Sequence, residues 1–208
     1  MVSPLNRLLA RQFARPSGVL GRLLIAPWLN RMSRADNALA LARLQPVQGR
    51  DVLELGFGGG ALLRMALQAG ARSVTGVDVA ADMVARAERG FADEIHAGRA
   101  HVKRSDGGAI PVAADAVDAA VSLHNIYFWP DQAAMLAELR RVLRPGGRLV
   151  LGFEPAAQMR QWPGHEHGFQ LQRAEAVAEA VGRAGFMDVR AETIEKSVDV
   201  CFVTATST

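Results

Sequence analysis

One ordered series limits what this chain can fold into more than any other feature. Asp51-Val-Leu-Glu-Leu55 is a short apolar run, and Gly56-Phe-Gly-Gly-Gly60 is a tight glycine turn. Ala61 to Ala69 reads as a helix closed by Gly70, and Ser73-Val-Thr-Gly-Val-Asp78 is a second apolar run ending in an acid. Strand, turn, helix and strand in this order make a βαβ unit with parallel strands. Glycines serve where the chain needs positive φ or where a ligand must approach the backbone. Such sheets bind ligands outside the carboxyl ends of their strands, near the first βα turn. Asp78 lies 18 residues past Gly60, where a carboxylate can accept hydrogen bonds from a ribose diol.

The alternation continues along the chain. Helices are expected over 36–44, 80–89, 131–143 and 173–184, and strands over 100–104, 117–123 and 147–153. The segments 189–194 and 200–205 are expected to pair as the last two strands. This predicts an α/β fold with a mostly parallel sheet. The chain shows no internal repeat and no run of 18 apolar residues, so no helical membrane span is expected.

Gly56, Gly58 and Ala61 also satisfy the dinucleotide pattern G-x-G-x-x-G/A, so a nicotinamide oxidoreductase stays open as a rival. Against it stands Glu54, two residues before the first glycine. An anion in the cradle repels a pyrophosphate and suits a ligand bearing an ammonium. At 208 residues the chain also has no room for a separate substrate domain. A cofactor-binding partner subunit without turnover is the second rival.

The segment Val52-Leu-Glu-Leu-Gly-Phe-Gly-Gly-Gly60 resembles the first motif of the class I S-adenosylmethionine-dependent methyltransferases, and Gly76-Val-Asp78 resembles their second. Leu139-Arg-Arg-Val-Leu-Arg-Pro-Gly-Gly-Arg-Leu-Val-Leu151 is similar to their helix–turn–strand segment. Ser105-Asp-Gly-Gly-Ala-Ile-Pro111, with Asp115 and Asp118, looks like the stretch around their adenine-contacting acid. Arg15-Pro-Ser-Gly18 and Asn37 look like part of the small quinone-biosynthesis-like subgroup.

The resemblance implies a Rossmann-like three-layer sandwich with a seven-stranded, mostly parallel sheet whose last strand is antiparallel, preceded by an N-terminal helical extension. It implies S-adenosyl-L-methionine as cofactor. Glu54, Gly56, Gly58 and Gly60 would hold its methionine end, and Asp78 its ribose hydroxyls. Met83 would flank the ribose or adenine, and Asp106 would accept the adenine amino group. Val79, Ser105, Gly107 and Leu123 are the further cofactor-binding residues expected. Gly107 and Gly108 stand where the family often has bulkier residues.

Val121-Ser-Leu-His-Asn-Ile-Tyr-Phe-Trp-Pro-Asp131 faces the sulfonium in the implied fold. Methyl transfer is an in-line displacement, and much of its catalysis can come from alignment. A hydroxyl, amine or carbon acceptor can also need a base. His124, Tyr127 and Asn125 are the polar candidates. His124 is either that base or a buried packing histidine, and Asn125 suits positioning, because an amide is no useful base. Tyr127, Phe128 and Trp129 either wall the sulfonium or pack in the core. Glu154 is a cleft or loop acid, and Trp162-Pro-Gly-His165-Glu-His167 a substrate-capping loop. His-x-His without spaced partners does not predict a metal site.

Charge is uneven. Residues 1–50 hold eight arginines and one acid, Asp36. The domains expected are an N-terminal helical lid over 1–45 and a cofactor-binding body over 46–208. The Arg-rich start also has the composition of a mitochondrial transit peptide, but its apolar pattern runs into the body without a break. It could cover the cofactor or touch an anionic membrane surface, which keeps a lipid or quinone acceptor open. No recognition motif for nucleic acid accompanies the arginines. The one cysteine, Cys201, fits a reducing, cytoplasmic setting. The expected partner is a small-molecule substrate, with a homodimer left open.

Overall fold

A computed structural model describes residues 34–195 and 199–208. Residues 1–33, which carry most of the proposed lid and its membrane contact, lie outside the described residues. The elements run α1 (Arg34–Leu44), β1 (Asp51–Leu55), α2 (Ala61–Gln68), β2 (Ser73–Asp78), α3 (Ala81–Gly90), α4 (Ala92–His96), β3 (Ala100–Arg104) and β4 (Val117–Leu123). A 3-10 turn (Ile126–Phe128) then leads to α5 (Gln132–Val142), β5 (Leu143–Phe153), α6 (Ala156–Met159), a second 3-10 turn (Pro163–Glu166), α7 (Ala174–Arg183), β6 (Met187–Ile194) and β7 (Val200–Thr206).

The seven strands form one sheet in the order β3-β2-β1-β4-β5-β7-β6. β1 pairs parallel with β2 and β4, and β7 pairs antiparallel with β5 and β6. The strand order reverses beside β1, so β1 and β4 open a crevice at their carboxyl ends, where such sheets take ligands.

Strand side chains alternate between two faces. Leu53, Leu149, Leu151 and Val203 pack with Leu136 and Leu139 of α5 and Val177 of α7. Val52, Val150 and Phe202 pack on the other face with Leu44 of α1, Leu62 and Leu63 of α2 and Met83 of α3. The result is a three-layer sandwich. The described part of the proposed lid, α1, is thus a layer helix, and its first turn reaches the carboxyl end of β4.

The structure departs from sequence expectation in short pieces. α4, α6 and the two 3-10 turns are too short to show a helical period. β5 begins at Leu143 rather than at Gly147. Its register with β4 jumps from Val117↔Leu143 to Ala119↔Arg148, so Pro145-Gly-Gly forms an irregularity inside the strand, as suits a proline that has no N–H to donate.

Candidate active site

The glycine turn joins β1 to α2, and Gly56, Gly58 and Gly60 have φ of 78°, 51° and 74°. Gly58 faces open space, with nothing within 4 Å of where a Cβ would stand. Gly56 is crowded instead: a Cβ there would lie 1.9 Å from Asn125 Nδ2. Asn125 donates from that nitrogen to the Leu55 carbonyl at 3.1 Å, lashing the end of β4 to the end of β1.

Glu54 is buried at 5% exposure beneath this turn. Burial pushes its carboxyl well above the usual range, opposed by a hydrogen bond from the Leu63 backbone and raised further by the charge of Asp78. Among the described residues its Oε2 has no hydrogen-bond partner. An orphaned buried carboxylate oxygen is costly unless something else satisfies it. A ligand ammonium at the open face of the turn would do so.

Asp78 ends β2 and is also buried. Its Oδ2 accepts from Gly58 N–H at 3.1 Å and its Oδ1 from Ala80 N–H at 2.9 Å. The carboxylate thus ties the glycine turn to the next strand, and each oxygen keeps acceptor capacity for a ligand hydroxyl. Desolvation raises its carboxyl, while the amides of Ala80, Gly58 and Val79 lower it.

The neighbouring loop follows β3. Ser105 donates from Oγ to the Ala109 carbonyl at 2.6 Å and accepts from Gly107 N–H at 3.0 Å. Asp106 is exposed, and its Oδ1 accepts from the N–H groups of Gly108 and Ala109. Those two bonds hold its carboxyl below the ordinary range. A Cβ at Gly107 would lie 3.6 Å from Val79 Cγ1, so the ends of β2 and β3 approach closely there. Leu123 is nearly buried at the end of β4.

Met83, expected to flank the ribose or adenine, is wholly buried at 0% exposure, because α3 turns it into the core against the sheet.

At the β4 end the candidates separate. Tyr127 is buried in the core cluster and does not wall the crevice. Its hydroxyl accepts from the Glu154 backbone N–H. Burial, with smaller contributions from Glu154 and other acids nearby, pushes its hydroxyl pKa well up. Trp129 is core as well, and Phe128 meets Phe169 edge to face at 4.6 Å between ring centres. Trp162 meets the same ring at 5.3 Å. The loop before α7 is therefore fastened to the 3-10 turn after β4 through aromatic rings, with Gln170 N–H donating to the Tyr127 carbonyl.

His124 is partly exposed, and its backbone is left-handed at φ 53°. That conformation is uncommon outside glycine and persists where the surroundings impose it. His124 N–H donates to the Gly152 carbonyl at 2.8 Å, and ring Nε2 lies 2.9 Å from Asp36 Oδ2. Ring Nδ1 lies 3.5 Å from the Tyr127 hydroxyl. Sequence reasoning did not connect Asp36 with His124. The signal available was that Asp36 is the lone acid in an arginine-rich quarter.

The residues present fit the cofactor implied by the resemblance: an unsatisfied buried carboxylate oxygen for an ammonium, an open glycine cradle and a strand-end acid for a diol. Among the described residues no group of three or more His, Cys, Asp or Glu could hold a metal ion, and no helix is long and apolar enough to cross a membrane.

Comparison with known proteins points the same way. Residues 52–147 match the methyltransferase domain family. The chain is 32% identical to a tRNA U34 carboxymethyltransferase of Chromohalobacter salexigens, over 71% of this chain and 47% of that protein. It is 34% identical to the nocamycin O-methyltransferase of Saccharothrix syringae, over 57% of this chain and 43% of that protein. The chain spans about half the length, or less, of these curated relatives. In fold it is similar to a chain from the complex between the Haloferax volcanii Trm112 methyltransferase activator and a methyltransferase. That likeness has a TM-score of 0.79 at 19% identity and covers 100% of this chain and 99% of the other.

Proposed function

We propose that the chain is a class I S-adenosylmethionine-dependent methyltransferase that methylates a small-molecule acceptor held at the carboxyl ends of β4 and β5. The observation that carries this reading is the orphaned Oε2 of Glu54 under the glycine cradle. A nicotinamide cofactor would bring a pyrophosphate to the same place, against a buried carboxylate. A methionine ammonium instead satisfies it.

The bound cofactor supplies an electrophilic methyl group on a sulfonium. Glu54 holds the ammonium, and Gly56, Gly58 and Gly60 shape the cradle around it. Asp78 takes the ribose hydroxyls, Val79 and Gly107 flank the adenine, and Ser105 and Asp106 form the loop that meets its edge. Leu123 gives an apolar floor. His124 takes a proton from the acceptor, Asn125 fixes the β4 end against β1, and Tyr127 braces the ring of His124 from the core. Alignment of the acceptor with the methyl group then supplies much of the rate.

The acceptor atom is oxygen, nitrogen or carbon. The O-methyltransferase named among the relatives favours oxygen. A lipid or quinone acceptor is the second form of the same reading, and it rests on the basic segment outside the described residues.

Calorimetry with S-adenosylhomocysteine should give micromolar binding, and methyl-labelled cofactor should pass its label to an extractable product in a cell extract. Binding of NADH with none of S-adenosylhomocysteine would overturn the reading. Binding with no labelled product would favour the non-catalytic partner role. Asp78→Ala should weaken S-adenosylhomocysteine by about 1–3 kcal/mol, the cost of losing a charged acceptor. An unchanged dissociation constant would remove Asp78 from the cofactor site.

A further inference from the structure

We infer that Asp36 is a positioning residue for methyl transfer: it holds His124 in the tautomer whose Nδ1 can take the acceptor's proton. This rests on the methyltransferase reading above and adds to it a residue from α1. A carboxylate only accepts hydrogen bonds, so the 2.9 Å contact between Asp36 Oδ2 and His124 Nε2 places the ring proton on Nε2. The neutral ring then carries its lone pair on Nδ1.

Among the described residues, Nδ1 meets the Tyr127 hydroxyl at 3.5 Å, at the outer limit of a hydrogen bond. The same hydroxyl accepts from the Glu154 backbone N–H and keeps its own proton, which makes no firm bond to Nδ1 across 3.5 Å. Tyr127 therefore confines the ring from the core side without claiming Nδ1 firmly. Asp36 is itself held: it is 8% exposed, on a helix packed against the sheet. His124 has a left-handed backbone and directly follows β4, at the carboxyl end of that strand.

In the step, His124 Nδ1 accepts the proton of the acceptor X–H as X bonds to the methyl carbon and the methyl–sulfur electron pair stays on sulfur. The ring becomes an imidazolium, and its new charge faces the Asp36 carboxylate through Nε2–H. The proton then leaves to solvent. Among the described residues, the titratable groups in contact with the ring are Asp36 on α1 and Tyr127 on the 3-10 turn. Glu154 after β5 and Cys201 on β7 act on Tyr127.

The first test is long-range proton–nitrogen NMR on the full chain with labelled histidine, which reads the tautomer without any cofactor. The unmodified protein should show His124 as Nε2–H. In Asp36→Asn the side-chain amide can donate to Nε2, and Nδ1–H should appear. Asp36→Glu should keep Nε2–H.

The second test is label transfer to the product fraction that the unmodified protein labels. Asp36→Asn should slow it by about 10²–10⁴-fold, the range for losing a positioned base, and Asp36→Glu should recover part of that loss. S-adenosylhomocysteine binding should stay within about twofold in both, since Asp36 is outside the cofactor cradle. An Nδ1–H tautomer in the unmodified protein, or an Asp36→Asn rate within about threefold of normal, overturns the proposal. If Asp36→Asn does not fold, the unmodified spectrum and Asp36→Glu decide. An unmodified protein that binds no S-adenosylhomocysteine, or labels nothing, overturns the methyltransferase reading itself. That failure appears without any substitution and so is distinct from a failure at Asp36.

Discussion

Glu54→Gln is expected to damage cofactor binding and stabilise the protein at the same time. Glutamine keeps the shape and can still accept from Leu63 N–H, but it offers no charge to a ligand ammonium. Truncating one partner of a buried charge pair costs about 2–5 kcal/mol, so S-adenosylhomocysteine should weaken by roughly 30-fold to several thousand-fold. Without ligand the sign reverses. Glu54 is fully buried and its carboxyl sits well above its ordinary range, chiefly through desolvation. The folded chain therefore holds that proton more tightly than the unfolded chain. Its ionisation costs stability that begins to be lost as pH rises through the unfolded value and is fully lost above the folded one. Each unit of such a shift is worth about 1.4 kcal/mol. A gain of about 1 kcal/mol would raise the melting temperature by roughly 2–4 °C in a protein of this size.

The pH dependence separates this account from a packing effect. The stabilisation by Glu54→Gln should be absent below about pH 4, where Glu is protonated in both states, and grow as pH rises. Asp78 adds to the same trend in both proteins, because burial raises its carboxyl too. Ligand binding should release protons, since an ammonium favours ionised Glu54. Calorimetry in buffers of different ionisation enthalpy would read that release. A variant that binds S-adenosylhomocysteine normally would take Glu54 out of the cofactor site.

The parts legible in the sequence are those with local causes. β1, the glycine turn, α2 and β2 each carry their own period, breaker or cap within a few residues, so their order and the placement of Glu54 and Asp78 could be read directly. The burial of Met83 was not legible, because helical spacing does not say which way α3 faces; the residue packs in one cluster with Phe91, Leu63 and the sheet. Tyr127 followed the same logic: the run Tyr-Phe-Trp-Pro shows aromatic character, but only the approach of β5 puts the tyrosine hydroxyl on Glu154. The Asp36–His124 contact joins residues 88 positions apart. Neither residue sits in a motif that points to the other, and the contact exists because α1 runs its first turn to the carboxyl end of β4. A lone acid among arginines was a hint of a specific partner, and His124 is such a partner.

Gly56→Ala should be among the most damaging single substitutions, and Asn125→Ala should partly rescue it. Two costs combine at Gly56. Its φ of 78° lies in the left-handed region, which costs an L-residue about 1–2 kcal/mol. The added Cβ would also stand 1.9 Å from Asn125 Nδ2 and 2.5 Å from its Cγ, an overlap that typically costs about 1–3 kcal/mol to relieve. Relief means swinging Asn125 away and losing its bond to the Leu55 carbonyl, although Ser122 Oγ still donates there at 2.9 Å. Asn125→Ala alone should therefore cost only about 0.5–1.5 kcal/mol. In the double variant the overlaps with Nδ2 and Cγ are gone, while the 2.9 Å approach to the remaining Cβ and the backbone cost stay. Denaturant unfolding of the four proteins should show a coupling of at least about 1 kcal/mol in favour of the double variant, well outside the roughly 0.5 kcal/mol of ordinary additivity. S-adenosylhomocysteine binding should fall in Gly56→Ala, because Gly56 N–H donates to the Val77 carbonyl at 2.7 Å and anchors the cradle beside Asp78. Additive losses would mean that Asn125 does not press on the turn, and that the β4 end can move without disturbing the cofactor cradle.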